Sequence, residues 1–381
     1  MFSNQSHAQI DTTKSMKVAV FIPLYVEEVF HGNDYTLGKS NLPKKIIPGL
    51  EFYNGVQLAI DSLKQEGVKV EISIFDTKKA GLSLTELFIS PEFDNVGLII
   101  ASISNMAELK SLSELALAKQ IPLISATYPN YVSNVANPYF VLLNSSIQAH
   151  LEGLYKYMQK HYILNTIYAL TKNGKTEDFI KNYLSELNKN TPSIQLNIKW
   201  MNVNDSTFNT AELIPKLDST KENIVMVASP TENFGLNIVK NLSREYLYNI
   251  TAIGMPTWDN VKELDNRECR NINVVYSTPF LYTSSSLGLI SYVNDVYKEK
   301  FYSKPSDMVF KGYETTYHFT KLLLKYKGSL INNIADKDFT LFNKFQLEPV
   351  RLKKTSPKPD LIENKKLYFI MKQQGNIKRI S

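Results

Sequence analysis

The sequence predicts an α/β protein of two lobes, each a largely parallel sheet covered by helices. Three observations predict it. The chain has 381 residues, more than one ordinary core holds and suited to two cores of roughly 130 to 200 residues. Short apolar strands alternate with amphipathic helices, the pattern of parallel sheets buried on both faces. That alternation then starts again near residue 145.

The first series opens with the apolar strand KVAVFIPL (17–24). GLEFYNGVQLAIDSLKQEG (49–67) carries Phe52, Val56, Ala59, Ile60 and Leu63 at helical spacing, with Gly67 as its stop. In VKVEISIFD (68–76), Val68, Val70, Ile72 and Ile74 alternate with Lys69, Glu71 and Ser73, the mark of a half-buried strand. LSLTELFIS reads as a short helix and VGLIIAS as a buried strand. MAELKSLSELALAKQ is a helix with Met106, Leu109, Leu112 and Ala116 on one face. IPLISA and YFVLLN are strands with a loop between them.

The second series begins with the helix SSIQAHLEGLYKYMQKHY, bearing Ile147, Leu151, Leu154 and Met158. NTIYALT, IQLNIKWM, NIVMVAS, NITAIGM and INVVYSTPF are its strands. TEDFIKNYLSELNK, AELIPKL and ENFGLNIVKNLSREY are its helices. Two more helices follow, SLGLISYVNDVYKEKFY and DMVFKGYETTYHFTKLLLKY. The tail differs in kind. FTLFNKFQLEPVRL and KKLYFIMKQQGNIKRI read as antiparallel strands on either side of KKTSPKPD.

Composition narrows the function. The net charge of +6 is modest and its lysines and arginines are scattered, which argues against nucleic acid as a partner. The single cysteine, Cys269, allows no intrachain disulfide and no cysteine-based zinc site. No apolar run reaches the roughly 18 residues of a membrane span. The five histidines form no metal-ligand pair, and there is no GxSxG elbow, P-loop or GxGxxG. The expectation is a protein without cofactor or metal, and not an enzyme. Residues 1–16 are polar and aperiodic and read as a disordered leader. Ser6-His7-Ala8 resembles the small-residue end of an export cleavage site, which points to the periplasm or cell envelope.

Four passages together resemble the type I periplasmic binding proteins, the group of the leucine/isoleucine/valine receptors of ABC transporters. They are GLEFYNGVQLAIDSL, GLIIASISNMAELKSLSELALAKQIPLISATYP, PYFVLLNSSIQAHLEGLYKYM and VFKGYETTYHFTKLL. The resemblance implies two Rossmann-like lobes joined by a three-stranded hinge, with one lobe at 17–143 and 280–328 and the other at 144–279 and 329–381. It implies ligand at the carboxyl ends of the strands and closure of the lobes upon it.

A buried polar solute needs a few converging donors and acceptors, and strand-end loops supply them. In the first lobe these are Ser102, Ser104 and Asn105 after VGLIIA, and Ala126, Thr127 and Tyr128 after PLIS. The resemblance implies a serine in the first of these loops as the holder of an amino-acid carboxylate. Ser104 or Asn105 serves equally as a helix N-cap. Tyr25 is a candidate wall residue or ordinary packing. In the second lobe the candidates are Thr231 and Glu232, then Thr257, Trp258 and Asp259. Glu232 and Asp259 would pair a ligand ammonium, or answer the dipole of a helix start. Trp258 would stack on a ligand or fill core. The sequence departs from the family in the shortened Ala126-Thr127-Tyr128 loop and in Asn173-Gly174-Lys175, which carries no aromatic. The expected partners are a small polar ligand and an ABC transporter permease. A cell-envelope module of the LysM-associated kind, bound to cell-wall components, is the alternative.

Overall fold

The computed structural model describes residues 16–380 apart from 39, 104, 128–135, 205–207, 209, 283–286, 352–355 and 357–358. These residues form two compact units. One runs to Ser145 and resumes over Leu281–Lys366; the other is Ser146–Phe280 and the chain from Leu367 onward. The chain therefore passes between units after Ser145, after Phe280 and after Lys366.

In the first unit the order is β1 (Lys17–Ile22), α1 (Val26–Val29), the small hairpin β2 (Phe30–His31) and β3 (Asp34–Tyr35), and α2 (Ile47–Gln65). Then come β4 (Glu71–Asp76), α3 (Leu84–Ile89), β5 (Val96–Ala101), α4 (Met106–Lys119), β6 (Leu123–Ser125) and β7 (Phe140–Leu142). In the second unit α5 (Ile147–Tyr162), β8 (Thr166–Thr171), α6 (Lys175–Lys189), β9 (Asn197–Asn202) and β10 (Glu222–Val227) lead to α7 (Glu232–Leu242), β11 (Asn249–Ile253) and β12 (Asn273–Thr278). The chain returns to the first unit with α8 (Leu287–Phe301), α9 (Asp307–Tyr326), β13 (Leu347–Val350) and β14 (Leu361–Asn364). It ends in the second with β15 (Tyr368–Gln373) and β16 (Asn376–Arg379).

Each unit has one seven-stranded sheet, ordered β13-β14-β7-β6-β5-β1-β4 and β16-β15-β12-β11-β10-β8-β9. Burial follows position. The central strands β1, β5, β10 and β11 are mostly apolar and lie buried beyond their first residues, because helices cover both faces. β4 and β9 are outer strands and keep polar residues along their length. In each sheet the chain order reverses beside the first strand, between β1 and β5 and between β8 and β10. Ligands of open α/β sheets gather at the carboxyl ends beside such reversals.

Two expectations need correction. The third passage between units lies at Lys366 and not at 328, because β13 and β14 complete the first sheet. The antiparallel tail is accordingly split. β13 pairs with β14 in the first unit, while β15 pairs with β12 and β16 in the second. The expected helix over AELIPKL is two separate 3-10 turns, Thr210–Glu212 and Ile214–Lys216, with Pro215 in the second.

The helices that frame the first unit approach closely. On α2, a methyl at Gly55 would run into the Val309 carbonyl, and on α9 one at Gly312 would run into that of Phe52. Among the described residues no helix is long and apolar enough to cross a membrane.

Candidate functional site

At the carboxyl edge of the first sheet, Asp76 organises the loops. At the end of β4, its carboxylate accepts the backbone N–H groups of Leu24 (2.8 Å), Tyr25 (3.2 Å), Val26 (2.9 Å) and Lys78 (2.9 Å). The loop after β1 is thereby folded back on β4, with Tyr25 left-handed at φ 55°. The Tyr25 ring is half-buried beneath two cations, Lys45 Nζ at 4.8 Å and Lys78 Nζ at 5.8 Å from its centroid. Lys45 pairs with Glu28 at 2.7 Å, and Lys78 pairs with Glu108 on the first turn of α4.

Beside this cluster, across the reversal, stands the loop after β5. Ser102 is buried, and its Oγ lies 3.4 Å from Thr127 Oγ1. Thr127 donates to the Ile103 carbonyl (3.2 Å), and its own carbonyl accepts from Asn144 (3.0 Å). Ala126 is fully buried. Ser102 and Thr127 thus form one hydroxyl pair at the tips of β5 and β6. Asn105 serves as the N-cap of α4, accepting the Glu108 N–H at 3.0 Å. Ser104 and Tyr128 lie outside the described residues.

The second sheet presents a polar edge of its own. Gly174 precedes α6, and Glu177, in the first turn, is buried and accepts the Ser229 hydroxyl at 2.6 Å. Gly174 leaves the room this carboxylate occupies; a methyl there would strike Glu177 Oε2. Ser229 also receives the Thr231 N–H (3.2 Å), so the loops after β8 and β10 are joined at their reversal. Thr231 is half-buried and Glu232, the first residue of α7, is exposed. Lys172, Asn173, Asn202, Val203 and Asn204 line an open hollow of about 440 Å³ beyond β8 and β9. Lys172 Nζ lies 5.3 Å from the Phe234 ring.

The loop after β11 corrects one reading. Trp258 is fully buried and cannot stack on a ligand from the surface. Its ring fills a slot between Gly235 and Gly254, where any side chain would collide with it. Asp259 is exposed and accepts from Thr278 at 2.9 Å, and Thr257 is half-buried beside it. The sequence reading missed Asp76, Lys78, Glu108 and Glu177. Each is an ordinary charged residue in sequence and becomes notable only through what it holds in the fold: Asp76 a backbone turn, Glu177 the Ser229 hydroxyl, and Lys78 and Glu108 each other beside the Tyr25 ring. Cys269 is buried, and that burial pushes its thiol up to about 11, too high for an activated nucleophile.

No protein-family model matches the chain, and no curated protein matches it in sequence. Solved structures do match its fold. One is a branched-chain amino acid ABC transporter periplasmic ligand-binding protein from Burkholderia xenovorans. It is 12% identical, with a TM-score of 0.63, over 96% of this chain and 95% of that one. Another is a branched-chain amino acid transporter substrate-binding protein from Streptococcus pneumoniae in complex with isoleucine, at 15% identity, TM-score 0.55, and 96% and 99% coverage. A third is a solute-binding protein of an ABC transporter from Rhodopseudomonas palustris, in complex with 3,4-dihydroxybenzoic acid. It shows 16% identity, TM-score 0.52, and 96% coverage of each chain. The chain has the fold these proteins share, that of the type I periplasmic binding proteins.

Proposed function

We propose that this chain is an extracytoplasmic solute-binding protein that takes a small polar ligand, such as an amino acid, at its strand tips and serves an ABC transporter. The observation that carries the reading is the Ser102–Thr127 hydroxyl pair, Ser102 buried and Thr127 half-buried, set at the tips of β5 and β6 beside the strand reversal. A carboxylate arriving there would accept a hydrogen bond from the Ser102 hydroxyl, while Thr127 donates to the Ile103 carbonyl and would have to turn from it to donate as well. Glu177, Glu232 and Asp259 are the acidic groups on the second unit's edge suited to an ammonium. Tyr25 and Asn105 frame the first unit's loops, with Ala126 beneath them. Likeness in fold to proteins solved with isoleucine and with a dihydroxybenzoic acid supports the class and leaves the ligand itself to experiment. Such a role places the protein outside the cytoplasm and involves binding without catalysis. Nothing in the fold or the comparisons favours the LysM-associated alternative.

The test is a thermal-shift screen with amino acids and small carboxylic acids, followed by calorimetric titration of any hit. A ligand at about 100 times its dissociation constant raises stability by about 2.7 kcal/mol. Ser102→Ala combined with Thr127→Val is expected to weaken that ligand by at least about tenfold, as both hydroxyls are lost from the loop tips. Binding indifferent to both substitutions would remove the hydroxyl pair from the site. A screen without a hit in either class of compound would remove the proposed ligand.

A further inference from the structure

We infer that the amino edge of the second unit's sheet, opposite its strand tips, docks on an anionic lipid surface. Seven large apolar side chains are more than three-fifths exposed among the described residues. Ile89 and Tyr302 lie in the first unit, and the other five share this one edge. Leu164 (92% exposed) precedes β8, Ile194 (65%) precedes β9, and Tyr246 (77%) with Leu247 (80%) precedes β11. Ile377 lies opposite Lys372 of β15, and Lys372 opposite Val274 near the start of β12.

Strand register places the first four together. Thr166 of β8 is level with Asn197 of β9, Ile167 with Ile224 of β10, and Asn223 with Ile250 of β11. The loops are also stitched to one another. Gln159 donates to Thr191, Ser193 and the Ile194 carbonyl, each at 3.3 Å. Asn165 donates to the Glu222 carbonyl (3.1 Å), and Asn223 to those of Asp218 (2.8 Å) and Asn249 (3.2 Å). The apolar side chains therefore project from an ordered rim, so their exposure is built in and not the fraying of loose loops.

Charge selects the occupant. Lys160, Lys189 and Arg244 stand exposed within five residues of Leu164, Ile194 and Tyr246, with no ion pair among the described residues, while the acids of the same edge are held, Asp218 by Lys221 and Glu245 by the Thr210 hydroxyl. Apolar tips separated by lysine and arginine suit a bilayer interface, where the stems lie along acyl chains and the cations reach headgroup phosphates. A protein partner favours the opposite, a contiguous apolar centre depleted of lysine. The surface does not depend on the solute-binding reading.

The experiment is co-sedimentation of the full chain with vesicles of equal parts phosphatidylglycerol and phosphatidylcholine, against phosphatidylcholine alone. Leu164→Trp in a Trp200→Phe background supplies a reporter, since the other native tryptophan, Trp258, is buried and the half-buried Trp200 is removed. Binding to the anionic vesicles only is expected, with a blue shift of the L164W emission and its quenching by brominated lipid. Leu164→Ser with Leu247→Ser should weaken partition by at least about tenfold. Lys160→Glu, Lys189→Glu and Arg244→Glu should each weaken it about fivefold at low salt. Absence of vesicle binding overturns the inference, as does binding in which the L164W emission is unmoved. A concentration-dependent dimer in sedimentation velocity that the two serine substitutions abolish would also overturn it, giving the edge to a second copy of the chain. All these positions except the half-buried Trp200 are exposed, and circular dichroism with thermal melting checks that each variant folds.

Discussion

Asp76 holds the backbone of Leu24, Tyr25, Val26 and Lys78 with one carboxylate. An alanine at this position leaves those N–H groups without their acceptor and frees Tyr25 from a conformation that non-glycine residues seldom adopt. Asp76→Ala is expected to cost about 3 kcal/mol in denaturant unfolding. Any ligand found should also bind less tightly, because the Tyr25 loop loses its order. Trp258 makes a different demand. Its ring is clasped by two glycines, and Trp258→Ala should cost about 3–5 kcal/mol, with Gly254→Ala comparably severe because the ring it would strike is held from its other side by Gly235 and has nowhere to retreat. The sequence offered tryptophan after β11 as a candidate ligand platform. Nothing local in PTWDN tells a buried indole from a displayed one. Gly235 lies on another helix, and only the fold brings it to the ring.

Elements show the same division between what is local and what is not. α2 and α9 meet through Gly55 and Gly312, and their carbonyl contacts leave no room for a methyl. Gly55→Ala or Gly312→Ala should lower stability by about 1–3 kcal/mol in urea unfolding, against the usual small gain from placing alanine in a helix. An increase in stability would mean the two helices are farther apart than described. The central strands and long helices were legible because apolar runs and helical spacing are local properties. The tail was not. β14 is the four-residue stretch Leu-Ile-Glu-Asn beside a proline-rich segment, too short and too polar to announce a strand. Its place comes from pairing with β7, which lies more than two hundred positions earlier. The hydroxyl pair was legible in part, since Ser102 and Thr127 follow recognisable strands, while the carboxylates that shape the loops gave no signal.

At the scale of the molecule the two units carry opposed buried titrating groups. In the second unit His150 is buried, hydrogen-bonds Ser277 at 2.8 Å, and desolvation pulls it down to about 3. The unfolded chain takes up a proton below about 6.5 that the folded one refuses, so stability falls as pH drops from 6.5 toward 3, by about 1.4 kcal/mol per unit. In the first unit Glu314 is buried, and desolvation pushes it up to about 7, although Asn343 and the Phe342 and Asn343 N–H groups donate to it. The folded chain keeps a proton that the unfolded one has lost, so this contribution is complete below 4.5 and disappears as pH rises to 7. Calorimetric melting against pH should therefore show His150→Leu flattening the acid limb and Glu314→Gln flattening the limb between 4.5 and 7. An unchanged profile in either variant would mean that the group is hydrated in the folded protein.

The split ending of the chain has a consequence for synthesis. β14 finishes one sheet and β15 adds to the other, with only Lys365, Lys366 and Leu367 between them. A ribosome that stops before Leu361 releases a product whose β7 and β12 both present raw strand edges, open to pairing with any neighbour. Termination there would harm both halves at once: the first sheet is whole only once translation has passed Asn364, and the second only once it has reached Arg379.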